Sequence, residues 1–250
     1  NNLRKIIYIL SLMMIFACDS ENAADCFQTT GTIIQQEFTV TGFNKILVNR
    51  NVELIIKEGS TEKVVVETGK NLLNDVQVEV VDNQLILTDD NICNFVRDYG
   101  VTKVYVTAPN ITEIRSSTQY DIKSDGVLTY PNLTVFAEDF SEPETVTSGN
   151  FYLDIDNERI TVVFNNLSNA FITGKTNNLQ VTLASGLSLF DASALIAQNV
   201  SISNRSSNDI IINPQLKLTG KISGVGNVIA LNKPPIVEVE EVYKGRLIFK

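Results

Sequence analysis

The chain contains no histidine and no tryptophan among its 250 residues. Histidine is the commonest general base in enzymes and a common nitrogen ligand of metals, so its absence argues against many classes of enzyme and metal site. The absence of tryptophan removes the largest aromatic side chain that could stack on a sugar. We therefore expect no cofactor, no metal site and no catalytic residue.

Positively charged residues are also few: the chain has 20 Lys and Arg residues against 29 Asp and Glu residues, which gives a net charge of −9. Proteins that bind phosphate backbones cluster Lys and Arg, and the body of this chain has no such cluster. The sequence predicts that the protein does not bind nucleic acid. The same charge disfavours attraction to an anionic membrane surface.

The N-terminus has the pattern of an export signal. Arg4 and Lys5 precede an apolar stretch over residues 6–17, which has the length of a signal peptide and is too short to span a bilayer. The four residues 15–18, Ile-Phe-Ala-Cys, resemble the bacterial lipobox, in which the cysteine is acylated and becomes the mature N-terminus. We expect a signal peptide over 1–17 and a membrane anchor through lipid on Cys18. An ordinary signal peptide followed by an incidental cysteine is the alternative.

Cys26 and Cys93 remain once Cys18 carries lipid. An even pair in an exported, oxidising setting predicts a disulfide, with two buried thiols as the alternative. Two distant cysteines without histidine do not complete a zinc shell. Residues 18–26 hold the lipidated cysteine and a short polar tether, of which the seven residues 19–25 reach about 25 Å at ~3.5 Å per residue.

The rest of the chain has the pattern of β-strands. Short apolar runs recur about every ten residues from 151 to 229, separated by Asn, Ser and Gly. Two strands and two turns then take about twenty residues, so Phe151, Phe171, Asp191 and Ile211 mark successive coils of a β-solenoid. A β-sandwich is the alternative, disfavoured because the Asn-Gly and Asp-Gly turns typical of hairpins are scarce. We expect one domain over 27–250, ending in a capping strand pair.

Four segments carry a family resemblance: FNKILV at 43–48, VELIIKEG at 52–59, VYVTAP at 104–109 and LTGKISGVGNV at 218–228. They are similar to the bacterial head GIN domain family of auto-transporter adhesins, over roughly residues 38–249. The resemblance implies an all-β, right-handed parallel β-helix on an exported and often lipid-anchored protein of the Bacteroidetes type.

Acidic residues form two groups that deserve comparison with enzyme and calcium sites. A polysaccharide lyase or hydrolase needs paired carboxylates, and calcium needs several oxygen ligands on one face. Charged residues on the outside of a repeat are normally solvated, so catalysis is not expected, and calcium near Asp139 and Asp154 stays open. The two groups are Glu138, Asp139, Glu142 and Glu144, and Asp154, Asp156 and Glu158, the last followed by the basic Arg159.

A binding role agrees best with these observations. We expect a lipoprotein of the cell envelope, in the outer membrane and surface-exposed, with an adhesin-like role towards a glycan or protein ligand. The alternatives are a polysaccharide-acting enzyme on the same scaffold and a structural envelope protein. Aromatic residues of strands are more often core than ligand contacts, so no ligand-binding residue is assigned among Tyr99, Tyr105, Tyr120, Tyr130 and Tyr152.

Overall fold

The computed structural model describes residues 25–140 and 143–250. The predicted signal peptide over 1–17, the lipidation site Cys18 and nearly all of the tether lie outside the described residues. Among the residues described, no helix is long and apolar enough to cross a membrane.

The described chain consists of β-strands with two single-turn 3-10 helices, Asp25–Phe27 and Leu73–Asp75. Ten strands precede residue 150: β1 (Ile33–Phe38), β2 (Lys45–Val48), β3 (Glu53–Glu58), β4 (Lys63–Gly69), β5 (Val76–Val81), β6 (Gln84–Asp89), β7 (Lys103–Ala108), β8 (Glu113–Ser116), β9 (Ile122–Leu128) and β10 (Asn132–Ala137). Four long strands follow: β11 (Phe151–Phe164), β12 (Ala170–Leu183), β13 (Phe190–Asn204) and β14 (Ile210–Ile222). The last three are short: β15 (Val228–Ala230), β16 (Ile236–Glu241) and β17 (Leu247–Phe249).

All of these strands belong to one mixed sheet, which wraps around a single core into a nearly closed, barrel-like shape. The pairs β1–β4, β4–β7 and β5–β6 are antiparallel. From β8 onwards the pairs are parallel. The prediction of a right-handed parallel β-helix is therefore wrong, since strand directions are mixed. The β-sandwich alternative is wrong too, because there is one continuous sheet and not two packed ones.

The turn between β5 and β6 explains part of this error. Asp82 and Asn83 both have positive φ, 49° and 63°, which is the backbone of a tight hairpin turn that matches the twist of antiparallel strands. Asp and Asn tolerate that conformation better than other non-glycine residues. The hairpin is thus specified by Asp-Asn, although the commoner Asn-Gly and Asp-Gly signals are scarce.

The four long strands differ from the short ones that the apolar runs predict. Parallel pairing joins Phe171 to Asp191 and Asp191 to Ile211, so equivalent residues of neighbouring strands lie twenty apart. Two apolar runs, however, form the two halves of each long strand. In β11 the buried positions are odd up to Ile155 and even from Ile160, and the exposed residues between them mark a bend. The bend lets both halves face the same core.

We refer to the two sides of the wrapped sheet as arms. The first arm contains β1, β4, β7, β3, β9, the first halves of β11–β14, β15 and β17. The second arm contains β5, β6, β2, β8, β10, the second halves of β11–β14, and β16. The last strands, predicted to cap the fold as a pair, each extend one arm, with β16 beside β14 and β17 beside β15.

The core is filled by aliphatic side chains from both arms with a few aromatic rings. Phe151 and Phe164, from the two halves of β11, stack with their ring centroids 5.2 Å apart and thereby join the arms. Tyr130 is also buried, and its hydroxyl donates a hydrogen bond to the carbonyl oxygen of Ala108 at 3.0 Å. Burial raises the pKa of the Tyr130 phenol far above its usual value, so the ring stays neutral.

Candidate binding face

The outward residues of the first arm form a row that runs across the sheet. Strand residues alternate between core and solvent, and the pairing register aligns one outward residue from each strand. The residue aligned on the edge strand β1 is the exposed Glu37, and the set from the other ten strands, called the outer row below, is Val65, Tyr105, Ile55, Lys123, Tyr152, Phe171, Asp191, Ile211, Ile229 and Ile248. All of its members are exposed or half-buried, and most are apolar. Lys123 and Asp191 interrupt the apolar residues, and a largely apolar row on an outward sheet surface is typical of an interaction site.

Three members of the outer row contact one another at its centre. The Nζ of Lys123 lies 6.0 Å from the ring centroid of Tyr152, and Tyr152 stacks on Phe171 with centroids 5.0 Å apart and planes 9° apart. Because β11 lies between β9 and β12, the two faces of the Tyr152 ring are covered by Lys123 and Phe171. The ring faces are therefore not laid flat towards solvent, as stacking on a sugar would require.

Acidic neighbours hold Lys123 in this position. Its ammonium lies 2.8 Å from Glu53 Oε1 and 3.1 Å from Asp121 Oδ2. The hydrogen bond to Glu53 raises the pKa of Lys123, with smaller contributions from Asp121. The positive charge at the centre of the row is therefore permanent at neutral pH, and it is matched by the carboxylates beside it.

A groove of about 280 Å³ opens at the β3, β4 and β7 end of the outer row. Ile55, Val65 and Tyr105 supply its apolar lining. Its polar rim consists of Gln35, Lys57, Lys63 and Asp125. Apolar walls with a few polar groups at the edge are what a ligand site needs, because apolar contact gives affinity and the polar groups fix orientation.

The rim is ordered by contacts between exposed side chains. Lys57 Nζ lies 2.9 Å from Asp125 Oδ2, and Lys63 Nζ lies 2.9 Å from Glu37 Oε2. At the other side, Gln35 donates to Glu67 Oε2 at 2.7 Å. Such surface pairs add little stability, and they can exchange for ligand groups at small cost.

Tyr105 turns its hydroxyl from the groove lining towards the rim. The hydroxyl donates to Glu67 Oε1 at 3.4 Å. Desolvation raises the pKa of Tyr105, and the nearby Glu67 carboxylate raises it further, so the phenol remains a neutral hydrogen-bond donor. Tyr105 can therefore contact both apolar and polar parts of a ligand.

A second, more polar groove of about 380 Å³ lies on the second arm, with Arg50, Asp90, Arg115 and Glu144 in its wall. Arg115 donates to Glu138 at 2.5 Å, and its guanidinium lies 4.5 Å from the ring centroid of Phe136. The positive charge of Arg115 is thus already engaged by Glu138 and Phe136 of the protein itself. We place the candidate site on the first arm, where apolar groups face solvent.

The acidic residues that the sequence singles out are engaged by neighbouring strands. Asp154 accepts a hydrogen bond from Thr173 at 3.2 Å, and Asp156 pairs with Lys175 at 3.1 Å. Asp139 accepts hydrogen bonds from the side-chain amides of two asparagines, at positions 165 and 166. Over residues 25–140 and 143–250, no three Cys, Asp or Glu side chains are grouped in a way that could hold a metal. Glu142 lies outside the described residues.

The outer row is missed by sequence reasoning because register is a non-local property. A local signal does exist. Ile55, Val65 and Tyr105 each stand between two buried apolar residues, in LII, VVV and VYV, where alternation calls for a polar residue. Of the tyrosines considered, the structure places Tyr105 and Tyr152 in the row.

The family model described as "Putative auto-transporter adhesin, head GIN domain" matches residues 42–234. The chain belongs to the head GIN domain family. This confirms the family predicted from the sequence. No curated protein matches the chain.

Solved structures share the fold of this head GIN domain protein. A protein from Bacteroides fragilis described as a "putative adhesin" superimposes with a TM-score of 0.78 at 19% identity, covering 89% of this chain and 99% of that one. A "putative adhesin" from Parabacteroides distasonis has a TM-score of 0.63 at 16% identity, with the same coverage. A "putative lipid binding protein" from Parabacteroides distasonis has a TM-score of 0.62 at 12% identity, covering 89% and 98%.

Proposed function

We propose that this head GIN domain protein is a non-catalytic, adhesin-like binding protein of the cell envelope, anchored in the outer membrane by lipid on Cys18. Its ligand-binding surface is the outer row together with the groove around Tyr105. The observation that carries the proposal is the solvent-facing apolar row itself. Outward positions that contact only water favour polar residues, whereas apolar side chains at these positions can pack against a binding partner.

A protein ligand fits this surface better than a glycan. The covered faces of Tyr152 offer no platform for a sugar ring, whereas apolar side chains of a partner protein can pack against Ile55 and Val65. The rim residues Lys57 and Asp125 are exposed and of opposite charge, as expected at the polar edge of a protein interface. The adhesin description of the family agrees with such a role.

The proposal is tested by binding of the purified Cys18→Ala chain to immobilised fibronectin, laminin and collagen, and to a glycan array. Ile55→Glu places a charge in the groove lining, and we expect it to weaken protein binding more than about tenfold, the effect of losing about 1.4 kcal/mol at an interface centre. Thr182→Glu, an outward position of the second arm, is the matched control and should bind like the unsubstituted chain.

Melting curves of both variants establish that they fold. Equal binding by Ile55→Glu and Thr182→Glu would move the site away from the outer row. Binding confined to the glycan array would replace the protein ligand by a sugar, and release of unsaturated oligosaccharides from polysaccharides would indicate an enzyme. Radioactive palmitate should label the chain and not Cys18→Ala, which tests the anchor separately.

A further inference from the structure

An exposed apolar patch lies at the N-terminal end of the described chain and shares no residue with the outer row. It combines the segment around Cys26 with the loop that joins β6 to β7. Its large side chains, with their exposed fractions, are Phe27 (53%), Ile92 (68%), Phe95 (73%), Val96 (52%) and Tyr99 (77%). We call these five residues the N-terminal patch. So many exposed large apolar groups within two short segments call for a partner surface.

The patch is held in shape by covalent and hydrogen bonds. Cys26 and Cys93 form a disulfide with their Cα atoms 4.4 Å apart, and the amide of Phe95 donates to the carbonyl of Cys26 at 2.9 Å. The rings of Phe27 and Phe95 lie 5.6 Å apart. The two segments therefore present one joint surface.

Arg97 and Tyr99 fasten the loop through hydrogen bonds to backbone carbonyls. The Arg97 guanidinium donates to the carbonyls of Gln28 at 3.1 Å and Cys93 at 2.9 Å. The Tyr99 hydroxyl donates to the carbonyl of Asn94 at 3.3 Å. These contacts engage the guanidinium of Arg97 and the hydroxyl of Tyr99, while the side chains of Phe95 and Val96 stay exposed.

The position of the patch along the chain identifies its partner. Seven residues separate Cys18 from Cys26, a reach of about 25 Å at most, and Cys26 directly precedes Phe27 of the patch. A lipid on Cys18 would thus hold the patch within that distance of the bilayer. We propose that the N-terminal patch docks into the interfacial layer of the membrane that holds the lipid anchor, and so orients the domain. This inference rests on the lipidation in the proposed function.

The charge around the patch specifies how it docks. Asp98 is exposed within the loop, and the tether contains Asp19, Glu21 and Asp25, so anionic headgroups would repel this region. Docking is therefore driven by burial of apolar side chains. It should occur on neutral phosphatidylcholine vesicles and be insensitive to salt, unlike docking through basic residues.

The absence of tryptophan makes a clean fluorescence test available. The full chain carrying Phe95→Trp, produced in a bacterium that acylates lipoproteins, is inserted into phosphatidylcholine vesicles with brominated acyl chains. Tyr243→Trp is the matched control, because Tyr243 is 56% exposed and lies between β16 and β17 at the opposite end of the sheet. Tyr99→Trp is a second reporter within the patch.

We expect the emission of Phe95→Trp and Tyr99→Trp to shift to shorter wavelength in vesicles. Bromine near the top of the acyl chains should quench it more than bromine near the chain ends, since interfacial groups enter about 5–10 Å. The Tyr243→Trp control should be neither shifted nor quenched, and 0.5 M salt should change nothing. Patch reporters that behave like the control would overturn the inference.

Flotation of the vesicles separates the two proposals. If the wild-type chain does not float with the vesicles and Cys18→Ala behaves identically, the lipid anchor is wrong. If the wild-type chain floats but the patch reporters remain in water, the anchor stands and the docking is wrong. A concentration-dependent blue shift without vesicles would instead assign the patch to contact between two copies of the chain.

Discussion

The disulfide between Cys26 and Cys93 offers a quantitative test of how the N-terminal segment is joined to the sheet. The bond links residues 67 apart and encloses β1 to β6. In the chain-entropy model a loop of this length gives about 4 kcal/mol of stability, because it removes conformations from the unfolded chain. We expect Cys93→Ala to lose this amount, and the double variant Cys26→Ala/Cys93→Ala to lose no more, since both remove the same bond.

The assay is equilibrium unfolding in urea, followed by circular dichroism, in a Cys18→Ala background that prevents mispairing. With a denaturant slope of about 3 kcal/mol/M, the loss lowers the unfolding midpoint by about 1 M or slightly more. Reductant should lower the midpoint of the parent by the same amount and leave the double variant unchanged. An unchanged midpoint in Cys93→Ala would refute the covalent link.

Three further predictions concern the sheet and its core. Gly174→Ala should lower the stability by about 1–3 kcal/mol more than Gly126→Ala in thermal melts. Both glycines have positive φ, but only at Gly174 would an added Cβ lie against a backbone oxygen, that of Ile155 at 2.0 Å. Burial raises the pKa of Asp89, so the folded state binds the carboxyl proton more tightly than the unfolded chain does. Protonation of Asp89 therefore stabilises the fold at low pH, and this stabilisation is lost as the pH rises through the raised pKa. Urea titrations should accordingly show the stability of the parent relative to Asp89→Asn falling as pH rises, then levelling off, and a difference that rises with pH would contradict the assignment. Phe164→Ala removes a fully buried ring and should lower the unfolding free energy by about 3–5 kcal/mol in the same assay, whereas a loss below about 1 kcal/mol would show that this part of the core is loosely packed.

The positions of the strands could be predicted from the sequence because they depend on local patterns. The apolar runs around Phe151 and Ile160 are both in strands, as expected. That they form two halves of one bent strand is set by the shift in alternation over residues 156–159, which is a weak signal among polar residues. The family was recognisable from short motifs and is confirmed by the match over residues 42–234.

The direction of strand pairing could not be predicted in the same way. Pairing depends on contacts between distant residues, and the antiparallel β1–β4 and β4–β7 pairs leave no local pattern. The β5–β6 hairpin did have a local signal in Asp82 and Asn83, whose positive φ values suit a tight turn. The outer row depends on the register between strands, so it could not be predicted from the sequence. The uninterrupted apolar triplets around Ile55 and Tyr105 nevertheless indicate outward apolar residues.

The central claim is that ligand binds along the outer row, and hydroxyl-radical footprinting of the complex with the matrix protein that binds most tightly tests it directly. Aromatic side chains react readily, so the row carries its own probes in Tyr105, Tyr152 and Phe171, while Phe140, 60% exposed and just after β10, belongs to the second arm. We predict that the three row residues are protected when ligand is bound and that Phe140 stays reactive. Full reactivity of the three row residues in the saturated complex would contradict the claim.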